Sequence, residues 1–204
     1  DKETRANVTR YIEKLKVAGH AIEEVSLPLA KYALAMYYII VSAEISSNLA
    51  RYDGIRYGVR AAGTNDIGEV YGKSRGEGFM PENKRRIMIG SYVLSSGYFD
   101  AYYLKAQKAR TLLVKAYEEL FENYDLLVGP VVPAPAFGLG EKVNDPVKMY
   151  LADIITVPAS LAGLPAISVP AGNTTAGLPI GVQLVGPRKS DATLLALAKS
   201  MEEN

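Results

Sequence analysis

Apolar positions recur with helical spacing at the start of the chain. Val8, Tyr11, Ile12, Leu15 and Ala18 fall on one face of a helix predicted over Thr4 to Ala18. Gly19 is a natural stop after it. Ala21 to Leu27 reads as a strand that Pro28 ends, and a helix followed by a strand across a short turn is the unit of an α/β sheet. Leu29 to Ala50 reads as a long, mostly apolar helix with Ser42, Ser46, Ser47 and Asn48 on its polar side. Arg51 to Phe79 is rich in Gly, Asp, Arg and Ser and lacks sustained periodicity. It predicts a long loop, functional or mobile, with one helical turn near Ile67 to Tyr71.

Two further helices are predicted, Glu82 to Ser96 and Tyr98 to Glu122, divided near Gly97. The second carries helical spacing at Tyr102, Ala106, Ala109, Leu113, Ala116, Leu120 and Phe121, with lysines and glutamates opposite. Asp125 to Val128 is a short buried strand opening into the loop GPVVPAPAFGLG. Tyr150 to Gly186 gives a short helix with Asp153 at its head, a buried strand, a glycine-proline turn and a second buried strand. Asp191 to Met201 closes the chain as a helix, with Asp191 or Ser190 as N-cap. No internal repeat interrupts this order. Residues 1–204 therefore read as a single partial domain that begins inside a repeating α/β pattern, as a fragment would.

The 204 residues are ample for a hydrophobic core, and 49% of them are hydrophobic. Lys and Arg number 23 against 22 Asp and Glu, which argues against a broad nucleic-acid-binding face while leaving room for a local basic patch. No basic stripe interleaved with aromatics is read from the sequence. With no cysteine and one histidine, His20, the chain has no disulfide framework, no thiolate nucleophile and no multi-His metal site. The N-terminus lacks the pattern of a signal peptide. The most apolar run, Tyr32 to Ala43, is flanked by Lys31 and Glu44 and falls short of the about 20 apolar residues a bilayer span needs. It reads as a buried helix of a soluble, cytosolic protein.

Candidate chemistry is sparse on composition alone. Ser46-Ser47 and Ser95-Ser96 lie in helical patterns without the base and strained turn an activated serine needs, so they read as small residues packing helix against helix. His20 reads as a surface or capping residue. The glycines of GTNDIGEVYG and AFGLGEK match neither the P-loop nor the dinucleotide fingerprint. Arg86, in KRRI, reads as a solvated charge. Asp153, before ITVPASLAG, reads as a helix N-cap or first-turn carboxylate. Tyr37 and Tyr38 read as core residues whose hydroxyls reach one partner.

Several long segments in order change those odds. They are YYIIVSAEISSNLARYDGIRYG, SRGEGFMPENKRRIMIG, the helix start GYFDAYY, YDLLVGPVVPAPAF, and TVPASLAGLPAISVPAG with GLPIGVQLVG. Together they resemble the C-terminal half of the amidase signature family. The resemblance implies an α/β fold: the C-terminal half of an amidase signature fold, a mixed β-sheet flanked by helices. It implies that Arg86 holds the α-carboxylate of glutamine, that Asp153 holds its α-ammonium, and that Tyr37 lines the same pocket. Free glutamine is a zwitterion, so one fixed cation and one fixed anion suit it, and the planar fork of arginine suits the carboxylate.

The resemblance also implies what this stretch lacks. The family's catalytic lysine, bridging serine and nucleophilic serine, with the oxyanion-hole donors, come from segments upstream of Asp1. No catalytic residue is expected in this chain, and alone it is expected to be inactive. The implied function of the parent is release of ammonia from glutamine, which converts Glu-tRNA(Gln) to Gln-tRNA(Gln) on a partner. The partners expected are the B and C subunits of an amidotransferase and, through the complex, Glu-tRNA(Gln). ATP and magnesium are expected at the B subunit rather than here. The alternatives are a fragment of a stand-alone hydrolase of another small amide, and a non-catalytic interaction module docking through Leu29 to Ala50.

Overall fold

The computed structural model describes residues 1–141 and 146–202. The chain divides into two compact units, residues 1–34 with 110–204, and residues 35–109. Both boundaries fall inside long helices.

In the first unit, helix α1 (Lys2–Val17) starts where the Asp1 carboxylate accepts from the backbone N–H of Glu3 at 2.8 Å and Thr4 at 3.0 Å. It ends at Gly19, whose φ of 95° suits only glycine without strain. There the Gly19 N–H donates to the Lys16 carbonyl and the His20 N–H to that of Leu15. His20 thus caps through its backbone while its side chain is exposed, within the surface or capping role expected.

Strands β1 (Leu127–Pro130), β2 (Ala166–Asn173) and β3 (Pro179–Val185) pair antiparallel in the order β1-β3-β2. Leu127 and Ala166 both face Val185, and the β2–β3 register shifts between Pro170 and Gly172. Val8, Tyr11 and Leu15 of α1 pack on Val169, Val182 and Leu184, and Leu194 and Ala198 of α8 (Asp191–Glu202) complete this core. The fold class is α/β, a central sheet flanked by helices, and the strands of the described residues are all antiparallel. Three strand expectations need correction, the first being β1, which is only half-buried along its length where a buried strand was expected. β3, in the middle, is buried at alternate positions, but β2 lies at the edge and buries only Val169. Among the described residues, 21–27 form no ladder; Tyr124 ties the segment by donating from its hydroxyl to Glu23 at 2.8 Å. A cavity of about 460 Å³ is lined by residues 21–25 together with Tyr124 and residues 126–128.

Helices α6 (Pro146–Leu151) and α7 (Val157–Ala162) precede β2. The last carbonyls of α7 are held by two arginines: Arg110 Nε donates to Leu161 O at 2.6 Å and Arg188 Nη2 to Ala162 O at 3.4 Å.

Helix α2 (Ala33–Asn48), all but its first two residues in the second unit, carries short 3₁₀ turns at both ends, so one helical run extends from Pro28 to Arg51. That run is longer than the apolar stretch read from the sequence. By length and composition alone, its 24 residues could cross a membrane. Helix α3 (Ile67–Gly78) occupies twelve residues where one turn was expected. Its four glycines, Gly68, Gly72, Gly76 and Gly78, lower helix propensity. Caps and burial outweigh them. Asp66 accepts from the Glu69 N–H at 2.9 Å, Glu69 accepts from the Asn65 N–H at 2.9 Å, and Val70 and Ser74 are buried. Helix α4 (Pro81–Val93) follows, and Gly97, at φ 85°, separates it from a π-helical stretch, Phe99–Leu104, that runs into α5 (Lys105–Phe121). That division is the one predicted.

Candidate functional site

Arg86 is placed by the way α2 and α4 meet. Gly90 of α4 lies directly on the Ser42 backbone: an added Cβ would overlap the Ser42 carbonyl oxygen and sit 2.6 Å from its carbon. One residue on, Ser91 Oγ and Ser46 Oγ share a hydrogen bond of 3.0 Å. The close approach therefore requires glycine on one helix and small residues on the other. Arg86 precedes Gly90 by one turn, and Tyr38 precedes Ser42 by one turn. The crossing that joins Gly90 to Ser42 thus brings the Arg86 guanidinium over the Tyr38 ring, 5.8 Å from its centroid.

Glu82 completes the setting, its Oε1 accepting from Arg86 Nε at 3.0 Å across one helical turn. The same carboxylate pairs with Arg85. The Arg86 side chain is 25% exposed. Burial works against its charge, but the Glu82 hydrogen bond and the surrounding Tyr37, Glu82 and Tyr38 outweigh it and hold its pKa above the ordinary value. Tyr37 packs edge-on against Tyr38, ring centroids 5.1 Å apart at 90°. The structure thus brings together Arg86, Tyr37 and Tyr38 in one unit, as a half-buried cation on an aromatic floor.

Asp153 belongs to the other unit and is exposed. Its backbone is fixed: the N–H donates to Tyr150 O at 3.1 Å, and the carbonyl accepts from the Val157 N–H at 3.1 Å and from Thr156 Oγ1 at 3.2 Å. The N-cap position of α7 is held by Thr156, without a side-chain hydrogen bond. Asp153 is therefore not the side-chain cap expected. Among the described residues its carboxylate makes no hydrogen bond or ion pair. The preceding Leu151 and Ala152 line an apolar cavity of about 330 Å³ with Val132, Pro133, Pro135 and Phe137 of the proline-rich loop.

The serine pairs behave as packing and turn residues. Ser46 bonds Ser91, and Ser95 Oγ donates to Tyr92 O at 2.7 Å. GTNDIGEVYG folds into the cap and body of α3, and in AFGLGEK the Gly138 N–H donates to Glu141 at 2.8 Å, with Lys142 outside the described residues. Among the described residues no group of three or more His, Asp or Glu side chains is placed to hold a metal ion. The residue the sequence reading passed over is Glu82. Its signal was its spacing of three and four from Arg85 and Arg86, which seats all three on one helical face.

The fold has known counterparts. The Amidase family model matches residues 1–195, and the chain belongs to that family, the amidase signature proteins. Within it, the chain is 54% identical over 198 residues to the A subunit of the glutamyl-tRNA(Gln) amidotransferase of Symbiobacterium thermophilum, covering 97% of this chain and 40% of that protein. It is 52% identical over 202 residues to the corresponding A subunit of Macrococcus caseolyticus, covering 99% and 42% respectively. The crystal structure of the glutamyl-tRNA(Gln) amidotransferase A subunit from Thermotoga maritima superposes with a TM-score of 0.73 at 36% identity, over 100% of this chain and 39% of that one. The chain spans about two fifths of the length of the relatives it matches.

Proposed function

We propose that this chain supplies the glutamine-recognising part of a glutamine amidase subunit, whose ammonia converts Glu-tRNA(Gln) to Gln-tRNA(Gln). The observation that carries the reading is Arg86: half-buried, cationic, laid on Tyr38 and fixed by Glu82. A preorganised guanidinium of this kind suits the α-carboxylate of an amino acid. Tyr37 contributes wall, and Asp153, with its carboxylate available, takes the α-ammonium. A purely hydrophobic amide would gain nothing from desolvating either charge.

On this reading residues 1–204 are a partial amidase domain, and the nucleophile with its base belongs to the portion of the protein outside these residues. This chain alone is inactive. The B subunit of the amidotransferase, with its C subunit, receives the ammonia and holds ATP, magnesium and Glu-tRNA(Gln), and the assembly is cytoplasmic. The near-neutral charge of this chain, 23 basic against 22 acidic residues, agrees with the tRNA lying chiefly on a partner.

The test is Arg86→Ala in the complete enzyme with its partners in place. Loss of a bidentate, charge-assisted pair predicts a rise of about 100-fold in KM for glutamine, with ammonium-driven transamidation intact. An unchanged KM refutes the assignment.

A further inference from the structure

Glu82 is one turn before Arg86 on α4 and takes only part of its guanidinium. Its Oε1 meets Nε at 3.0 Å, while the Tyr38 ring lies across one face at 5.8 Å. Among the described residues the two Nη groups make no hydrogen bond. An arginine can receive a carboxylate along its Nε–Nη edge or along the end formed by both Nη groups. With Nε taken, the end remains. An arginine side chain held by nothing samples many rotamers, and binding must then freeze them. Here a carboxylate on one edge and an aromatic ring on one face have frozen them already. The arrangement has an electrostatic cost, because a fixed carboxylate beside Arg86 opposes a second one. Arg85, paired to the same Glu82, offsets that cost and leaves the three side chains with a net positive charge.

We propose that Glu82 is a positioning residue that presents the Nη end of Arg86 to the ligand's carboxylate, an inference resting on the role given to Arg86 above. It acts through its acceptor oxygen rather than through its charge, and this separates it from a competing carboxylate.

The experiment compares Glu82→Ala, Glu82→Gln and Arg86→Ala in the assembled enzyme, with glutamine or ammonium chloride as nitrogen donor. Glu82→Ala removes the preorganisation of one long side chain, so KM for glutamine should rise about five- to tenfold. The kcat with glutamine should stay within about twofold, with ammonium-driven activity unmoved. Glu82→Gln keeps an acceptor for Nε and removes the opposing charge, and should restore KM to the wild-type value or below. Should Glu82→Ala fail to assemble, Glu82→Asp, too short to reach Nε, takes its place with the same expected rise. Both Ala and Gln lowering KM would show a competing carboxylate, and both leaving it unchanged a mere surface pair; either overturns the proposal while Arg86 keeps its role. An unchanged KM in Arg86→Ala would remove the parent reading, and this inference with it.

Discussion

Gly90→Ala tests whether the α2–α4 contact builds the candidate site. The added Cβ would sit 2.5 Å from Ser46 Cβ and 2.6 Å from the Ser42 carbonyl carbon. Unbonded carbons rest at about 3.5–4.0 Å, so the helices must part by roughly 1 Å. Overpacking costs about 1–3 kcal/mol, and a backbone obstacle that cannot rotate away places this substitution at the upper end. Alanine's better helix propensity returns about 1 kcal/mol, for a net loss of about 2 kcal/mol. In a chain of this size that lowers Tm by about 4–8 °C. Arg86 lies one turn from the displaced contact, and a misplacement of roughly 1 Å in a binding group can cost up to about 100-fold. Thermal unfolding by circular dichroism reads the first effect, and KM for glutamine in the assembled enzyme reads the second. Gly72→Ala is the control: nothing lies within 4 Å of its added Cβ, so it should gain about 0.5–1 kcal/mol. Gly90→Ala melting at or above the wild-type temperature would refute the packing argument. A lower Tm with unchanged KM would refute its link to Arg86.

Asp153→Asn keeps the shape and removes the anion, so KM for glutamine should rise by about 10- to 100-fold while ammonium use persists; normal glutamine use would refute its role. Arg110→Ala removes the 2.6 Å bond to the Leu161 carbonyl, with an expected loss of about 2 kcal/mol that a Tm shift of about 4–8 °C would register. Burial pushes the Tyr117 hydroxyl up to about 12, against about 10 in an unfolded chain. The folded state then keeps a proton the unfolded state has released, so this contribution is complete below pH about 10 and lost as pH rises toward 12. Tyr117→Phe should flatten the loss of stability across that window in urea titrations, and an unchanged slope would contradict the burial. The isolated chain, with Met80 72%, Met88 73% and Val59 83% exposed, should bind a hydrophobic dye or self-associate, and a dye-silent monomer would contradict that.

Periodicity revealed the elements whose faces are one-sided. The α1 stripe of Val8, Tyr11 and Leu15 and the Gly97 break needed nothing beyond local pattern. Helix α3 was legible only as a single turn because its glycines speak against a longer helix, and its stability comes from the Asp66–Glu69 cap and from Ser74, which accepts the Ala61 N–H at 3.0 Å. Residues 21–27 read as a strand between Gly19 and Pro28 but have no paired neighbour among the described residues, and pairing is a property of the sheet rather than of the segment. The roles proposed for Arg86 and Tyr37 rest on the resemblance of whole segments, since a KRRI run on a helix is ordinarily solvated charge. The close crossing at Gly90 that seats Arg86 on Tyr38 is a tertiary contact, and no spacing along the chain encodes it.

Glutamine recognition is tested most directly by pairing substrate truncation with mutation in the assembled enzyme. 4-Aminobutanamide lacks the α-carboxylate of glutamine, and glutaramic acid lacks its α-ammonium. The wild type should use each about 100-fold less efficiently than glutamine. Arg86→Ala should abolish discrimination against 4-aminobutanamide only, and Asp153→Asn discrimination against glutaramic acid only. If both variants keep the wild-type preferences, neither residue reads the amino-acid head, and the glutamine assignment fails.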